Sequence, residues 1–368
     1  MYYQKSQKPK GLQNIGATCY MNAVLQCFYN VKVLTEELKK YQIIPGMVMT
    51  WAYKDVINQL SSSDSNAAVP ILFKNVISAN PLFRGIQAND CKDLILFFLE
   101  NIENELTFKN YICQDKRYLN RIRNIVPNND RELGNILRIF DQSHKSIISD
   151  LFYGFKSQLL ECTKCNTKLN NYQIYNLLIF PIEAVYNSIN KKEDKNKYSY
   201  SKGNTTNSDY GNFYNGWSVS GGKKKVTIYN CFEFDNEDVV FDGDNKVFCN
   251  NCNQLNVALC KNKIFSSPHV LIIVLNRGKG NQFDCDVEFE ENLNIEKYVE
   301  RKECPRNYKL IGVISHLGES SMSGHFIAVC RYFDGQWYYF NDSVVSGPSS
   351  RYSKKGTPYI LFYQNSEL

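Results

Sequence analysis

The sequence predicts an α+β fold, and three observations carry that reading. Apolar residues recur at helical spacing between residue 11 and about 150, and short β-type runs take over from Leu151. The stretch from Tyr308 to Tyr363 then reads as strand after strand, divided by glycine and Asp-Gly turns. A first helix is expected over Tyr20-Met21-Asn22-Ala23-Val24-Leu25-Gln26-Cys27-Phe28, and another over Asp90 to Leu106. Asp90 and Asp93 fall in the first turn of that second helix, where acids suit the dipole. Strand-type runs follow at Phe152-Tyr153-Gly154-Phe155, Val226-Thr227-Ile228-Tyr229 and Val270 to Leu275. Between about Tyr186 and Gly222 the chain turns to Asn, Ser, Lys, Gly and Tyr, which predicts a flexible insertion inside the β region. No repeat of solenoid length is visible.

Composition excludes several classes. The 368 residues are 43% hydrophobic and 14% aromatic, enough for a sizeable core, so wholesale disorder is ruled out. Length allows two domains or one elaborate one. Lys and Arg number 43 against 37 acids, a net +6 too dilute for a nucleic-acid stripe. Lys223-Lys224-Lys225, the one tight cluster, reads as a solvated run. MYYQKSQKPKGLQ has no apolar h-region, so no signal peptide is expected. The longest apolar runs are strand-length, far short of the ~20 residues of a membrane span. Thirteen cysteines, an odd number without a secretory signal, point to a reducing compartment and free thiols, metal ligands or a nucleophile. The expected location is cytoplasmic, nuclear or both.

The chemistry is sought first at Asn14-Ile15-Gly16-Ala17-Thr18-Cys19-Tyr20-Met21-Asn22. Cys19 follows a small-residue turn and opens an amphipathic helix, whose N-terminal amides are expected to lower the thiol pKa. A base is still needed, and the chain has four histidines: His144, His269, His316 and His325. His325 stands in Ser323-Gly324-His325-Phe326, where Gly324 lets the backbone pass close to a ligand. Downstream, Trp337-Tyr338-Tyr339-Phe340-Asn341-Asp342 ends an aromatic run in two polar side chains. Antiparallel strands joined through Asp334-Gly335 would set Asn341 beside His325. Each piece alone has a structural alternative: a Cys at a helix start or a His on a strand is usually part of the core. The order Cys, His, Asn is that of thiol proteases.

At these residues the sequence resembles the ubiquitin-specific proteases, papain-related deubiquitinases. Gly11 to Asn22 looks like their Cys box, and Gly324-His325-Phe326, Trp337 to Asp342 and Tyr359-Ile360-Leu361-Phe362-Tyr363 look like their His box. Pro268 to Arg277 resembles the central Pro-x-x-Leu-x-x-x-Leu-x-Arg strand, so the likeness runs from Gly11 to Tyr363. It implies a papain-like α+β domain with a helical thumb (about 11–150), β fingers (about 151–265) and a β palm (about 266–365). It also implies Cys19 as nucleophile, His325 as base, Asn341 as third triad member, Asn14 as the oxyanion-hole side chain and Asp342 as its polar neighbour. Gly324 and Phe326 are expected to face the substrate, and Asp90 and Asp93 to meet the basic tail of ubiquitin. The family's Gln-x-Asp-Ala-x-Glu-Phe is here Ala88-Asn89-Asp90-Cys91-Lys92-Asp93-Leu94, and its Arg-Phe is Arg277-Gly278. The expected partners are ubiquitin and ubiquitinated proteins, with targeting left to another protein. An inactive ubiquitin-binding scaffold, a protease for another ubiquitin-like modifier and a general endopeptidase remain alternatives.

Cys162-x-x-Cys165 and Cys249-x-x-Cys252 form the second constellation. Two CxxC knuckles at hairpin tips supply four thiolates for tetrahedral Zn²⁺, provided that two distant hairpins meet; four free cysteines is the alternative. In the resembling family such pairs cap the fingers, and a closed Cys₄ shell implies a structural metal. The remaining cysteines (Cys27, Cys91, Cys113, Cys231, Cys260, Cys285, Cys304 and Cys330) read as core or surface thiols.

Overall fold

The residues described in the computed structural model are 8–64, 66–107, 130–200, 224–278, 282–318 and 324–367. Helix α1, Cys19–Tyr29, is buried along every one of its residues. A helix buried on all sides belongs in a core, and α1 is the axle of the N-terminal half. Around it lie α2 (Lys32–Lys40), α3 (Val48–Leu60), α4 (Ile71–Ile77), α5 (Cys91–Thr107), α6 (Arg131–Ser143) and α7 (Ile147–Phe152). Glu105 on α5 accepts from the Met49 and Thr50 amides (2.8 and 2.7 Å), which caps the start of α3 with a carboxylate. Cys113 falls outside the described residues.

The fingers are the sheet β2-β1-β8-β5, built from β1 (Gly154–Cys162), β2 (Lys168–Tyr175), β5 (Val239–Phe241) and β8 (Ala258–Ser266). Beyond it β6 (Val247–Cys249) pairs with β7 (Gln254–Asn256). The palm is an eight-stranded sheet ordered β15-β14-β13-β12-β16-β9-β3, with β11 added on β12. Its strands are β3 (Leu178–Pro181), β9 (Val270–Asn276), β11 (Asn292–Asn294), β12 (Asn307–Leu317), β13 (His325–Arg331), β14 (Trp337–Asn341), β15 (Val344–Ser349) and β16 (Thr357–Asn365). On its outer face, β4 (Lys225–Thr227) and β10 (Asp286–Glu288) pair in parallel beside α8 (Ile182–Tyr200) and α9 (Ile228–Asp235). The β9 run, Val270 to Leu275, is buried on both faces, with the helices on one side and the α8–α9 layer on the other. Among the described residues no helix is long and apolar enough to cross a membrane.

Three expectations need correction. Phe152 ends a helix, and the strand begins only at Gly154; Ser146 and Ser149 form a capping box that nucleates α7. Val226 to Tyr229 splits at Thr227, whose side chain and that of Asn230 cap α9 reciprocally, so Ile228 and Tyr229 are helical. The expected insertion from Tyr186 begins inside α8, because Ile182, Val185, Tyr186 and Ile189 keep helical spacing and dock on the palm's outer layer. Its remainder, 201–223, lies outside the described residues. So does Lys223 of the lysine run, whereas Lys224 sits 4.4 Å over the Phe283 ring and Lys225 pairs with Glu288 at 2.5 Å.

Phe28 joins the two halves. Its ring meets Phe98 of α5, Phe152 of α7 and Phe362 of β16 at centroid distances of 4.8, 5.6 and 5.4 Å. Phe28→Ala should therefore cost roughly 3–5 kcal/mol of unfolding free energy, read as a lower urea midpoint. A loss under about 1 kcal/mol would show that the interface repacks without it.

Candidate active site and metal centre

The segment before α1 is laced to the end of β14. Leu12 donates its N–H to the Asp342 carbonyl at 2.9 Å, and a Cβ on Gly11 would stand 2.4 Å from that same oxygen. Only glycine permits this approach. Asp342 itself adopts φ of 50°, a left-handed conformation that turns its carboxylate back toward the helix start. Asn14 Nδ2 donates to Asp342 Oδ2 (2.9 Å) and Asn22 Nδ2 to Oδ1 (2.7 Å). Asn14 Oδ1 meanwhile accepts from the Gly16 and Thr18 amides, which fixes the tight turn through Gly16 and Ala17, both at positive φ. One hydrogen of the Asn14 amide is thereby spent on Asp342.

The β13–β14 hairpin sets the other wall. Its register, Ala328 opposite Phe340 and Arg331 opposite Trp337, leaves His325 and Asn341 at the open end. His325 Nε2 lies 2.6 Å from Asn341 Oδ1 and 3.8 Å from Asp342 Oδ2. A carbonyl oxygen can only accept, so Nε2 is the donor in this contact. Cys19 is 4% exposed, and its sulfur receives the Phe326 N–H from the residue after His325. The structure thus gathers Cys19, Asn14, His325, Asn341 and Asp342 where the start of α1 meets the ends of β13 and β14.

The thiol itself departs from expectation. Burial pushes the Cys19 pKa up, the Asp342 carboxylate pushes the same way, and the amides of Phe326, Tyr20 and Cys19 only partly oppose them. Desolvation beats the helix terminus here. At Gly324 the space of the missing Cβ holds the His316 imidazole, whose Nε2 would lie 1.6 Å from a Cβ. His316 stacks edge-on against Phe326 at 5.0 Å, and burial together with His325 holds it below the usual histidine range. Phe326 lies between His316 and Tyr359, with a centroid distance of 6.0 Å to the latter. Asp90 stands just ahead of α5 and accepts the Tyr359 hydroxyl on both carboxylate oxygens (2.7 and 2.8 Å). Asp93 pairs with its neighbour Lys92 at 3.2 Å. Sequence reasoning passed over Asn22, His316 and Tyr359. Asn22 carried a signal, a polar side chain three residues past Cys19 on the apolar face of a buried helix.

At the finger tips the two CxxC pairs meet. Cys162–Cys165 occupies the β1–β2 turn and Cys249–Cys252 the β6–β7 turn, and each is followed by an asparagine at positive φ, Asn166 (56°) and Asn253 (51°). That residue reverses the chain and aims both sulfurs to one side. All four ligand atoms lie within 4.8 Å of one another, with Cys165 and Cys249 at 3.5 Å. Tetrahedral Zn–S bonds of about 2.3 Å require sulfurs about 3.8 Å apart, so the cluster fits a metal ion.

A helical thumb, a β palm and Cys₄-tipped fingers around a Cys, His and Asn cleft define a papain-like α+β cysteine hydrolase fold. The chain belongs to the ubiquitin carboxyl-terminal hydrolase family, whose pattern it matches over residues 10–363. It is 25% identical over 381 residues to ubiquitin carboxyl-terminal hydrolase 2 of Bos taurus, covering 99% of this chain and 56% of that protein. It is 25% identical over 380 residues to ubiquitin carboxyl-terminal hydrolase 21 of Rattus norvegicus, covering 96% of this chain and 61% of that protein. The chain thus spans a little over half the length of these relatives.

The raised Cys19 pKa has a kinetic consequence. The thiolate is the reactive form, so Cys19 alkylation by iodoacetamide in the substrate-free protein should keep climbing with pH beyond the point at which an ordinary cysteine levels off. Peptide mapping of the alkylated residue reads this directly. A rate already level by pH 7 would instead reveal a stable thiolate–imidazolium pair.

Proposed function

We propose that the chain is a thiol-dependent deubiquitinase, hydrolysing the isopeptide or peptide bond after the C-terminal glycine of ubiquitin through a thioester acyl-enzyme. Family membership supports the substrate class. The single observation that carries the mechanism is the 2.6 Å His325–Asn341 contact in the Cys19 cleft. With Asn341 holding the proton on Nε2, His325 Nδ1 is the base that accepts the Cys19 proton. Because burial keeps that thiol protonated, proton transfer accompanies attack on the glycine carbonyl. The free Asn14 N–H and the amides at the start of α1 face the developing oxyanion. His325 then returns the proton to the leaving lysine amine, and water activated by the same imidazole hydrolyses the thioester. On this reading the thumb covers about 11–150, the fingers about 151–265 and the palm about 266–365, and the partners are ubiquitin and its conjugates.

The metal of the finger tips is proposed to be a structural Zn²⁺ held by Cys162, Cys165, Cys249 and Cys252. A four-thiolate shell leaves no open position for substrate, so its contribution is folding energy.

A ubiquitin carrying a C-terminal electrophile should form its adduct at Cys19 alone among thirteen cysteines. Adduct formation that survives Cys19→Ala would overturn the assignment, and loss of turnover in that variant separates an enzyme from a ubiquitin-binding scaffold. Metal analysis of freshly purified, unchelated protein should find one zinc per chain. Chelation should lower thermal stability by more than it lowers hydrolysis of a small C-terminal ubiquitin amide; protein isolated without zinc refutes the site.

A further inference from the structure

Asp90 occupies a particular junction. On one side, Asn89 Nδ2 reaches the Tyr20 hydroxyl (3.4 Å) and Cys91 Sγ the Tyr20 carbonyl (3.5 Å), so the segment abuts the residue next to Cys19. On the other side, Tyr359 bridges it to β16 and packs on Phe326, the residue next to His325. Tyr359 is 7% exposed, whereas Asp90 is only half-buried. The hydroxyl comes from a nearly buried ring and reaches both carboxylate oxygens, while Asp90 itself keeps part of its surface exposed. Asp90 Oδ1 also accepts the Lys92 N–H at 2.8 Å, the usual side-chain turn at a helix start. A carboxylate has about four lone-pair sites, and these protein donors leave room for a guanidinium.

Resting on the function proposed above, we propose that Tyr359 is a positioning residue for substrate specificity: its hydroxyl clamps the Asp90 carboxylate in one orientation, ready to take a basic side chain of the ubiquitin tail. Without the clamp Asp90 rotates about its side-chain torsions, and that freedom is lost anew at each binding event. The clamp also spans thumb and palm, so the basic-tail contact and the Cys19–His325 cleft share one rigid frame. Two acceptor oxygens on one hydroxyl is an arrangement a purely packed tyrosine would not need. Asp93, paired with Lys92, has no corresponding clamp.

The test compares wild type, Tyr359→Phe, Asp90→Asn and the double variant, each with a thermal melt, on two ubiquitin conjugates: one with its natural basic tail and one whose tail arginines are replaced by leucine. Tyr359→Phe keeps the buried ring and removes only the clamp. The expected result is a three- to tenfold rise in KM on the natural tail, kcat held within about twofold, and little change on the leucine tail. The double variant should be no worse than Asp90→Asn, because both act through one carboxylate. Equal losses on both tails, a fall confined to kcat, or additive losses in the double variant would overturn the clamp. Should Tyr359→Phe melt too low to assay, ubiquitin binding to Cys19→Ala and to Cys19→Ala with Asp90→Asn decides: affinity that ignores Asp90 overturns it. Failure of wild type to cleave either conjugate refutes the deubiquitinase reading instead, a separate outcome.

Discussion

The carboxylate of Asp342 is the constraint on which the cleft depends. Its two oxygens hold Asn14 and Asn22, its carbonyl holds Leu12, and the residue before it holds His325. One left-handed residue at the end of β14 thus fixes the turn before Cys19, the helix that carries Cys19 and the imidazole that faces it. Hydrogen bonds to a charged acceptor are worth about twice their neutral counterparts, which suits a junction between two otherwise separate halves. The same charge has a cost. It raises the thiol pKa that burial has already raised, so the arrangement gains geometry and gives up a standing thiolate. In the mechanism proposed above, a nucleophile held in that condition takes its base from the imidazole that Asn341 orients.

Packing makes the geometry stiff. Cys19 lies on a fully buried helix and His325 on an inner strand of the palm, and α1 meets β13 along much of their length. Cys27 and Cys330 touch across this seam at 3.7 Å, and Gly312 leaves the space that the Cys27 sulfur fills. Around the seam, Phe28 gathers aromatic rings from α5, α7 and β16. Reactive groups placed on such elements are held more closely than groups on loops. Arg277 braces the outer side: it is 2% exposed, and its guanidinium donates to the carbonyls of Phe283, Cys285 and Pro358. Glycine after it, where the family pattern has Phe, leaves those contacts intact.

Much of this was legible in the chain itself, for reasons that can be named. The Asp334-Gly335 turn fixes the hairpin register and so sets Asn341 against His325 without knowledge of the rest. The CxxC spacing announces two knuckles because the geometry of each is local. Tyr359 and Asp90 meet across 269 positions and Asn22 and Asp342 across 320, and no local pattern encodes such pairs. The missed helix starts at Ser146 and Thr227 are capped by Ser149 and Asn230 rather than the usual Glu or Gln, which hid their signature. The thiol pKa was misread because a helix terminus is visible in sequence and burial is not. Averaged composition likewise concealed the short apolar stripe that folds the start of α8.

The fingers show the opposite balance between core and cross-link. β2 is exposed along most of its length, and β5 offers no fully buried residue. Leu169, Val239, Val240, Phe248 and Leu255 are all exposed, so neither face of this sheet closes a core near its tip. A sheet without a core on either face is marginal in water. Pairing along β1 and β8, from Phe155–Ser266 to Cys162–Ala258, holds the base of the fingers to the palm and weakens as a support with distance from it. The Cys₄ cluster stands at the far end of that ladder, where burial contributes least. With the proposed Zn²⁺ bound, metal coordination and the palm core would stabilise opposite ends of the same strands, and Cys19 and His325 sit at the end that the core alone holds.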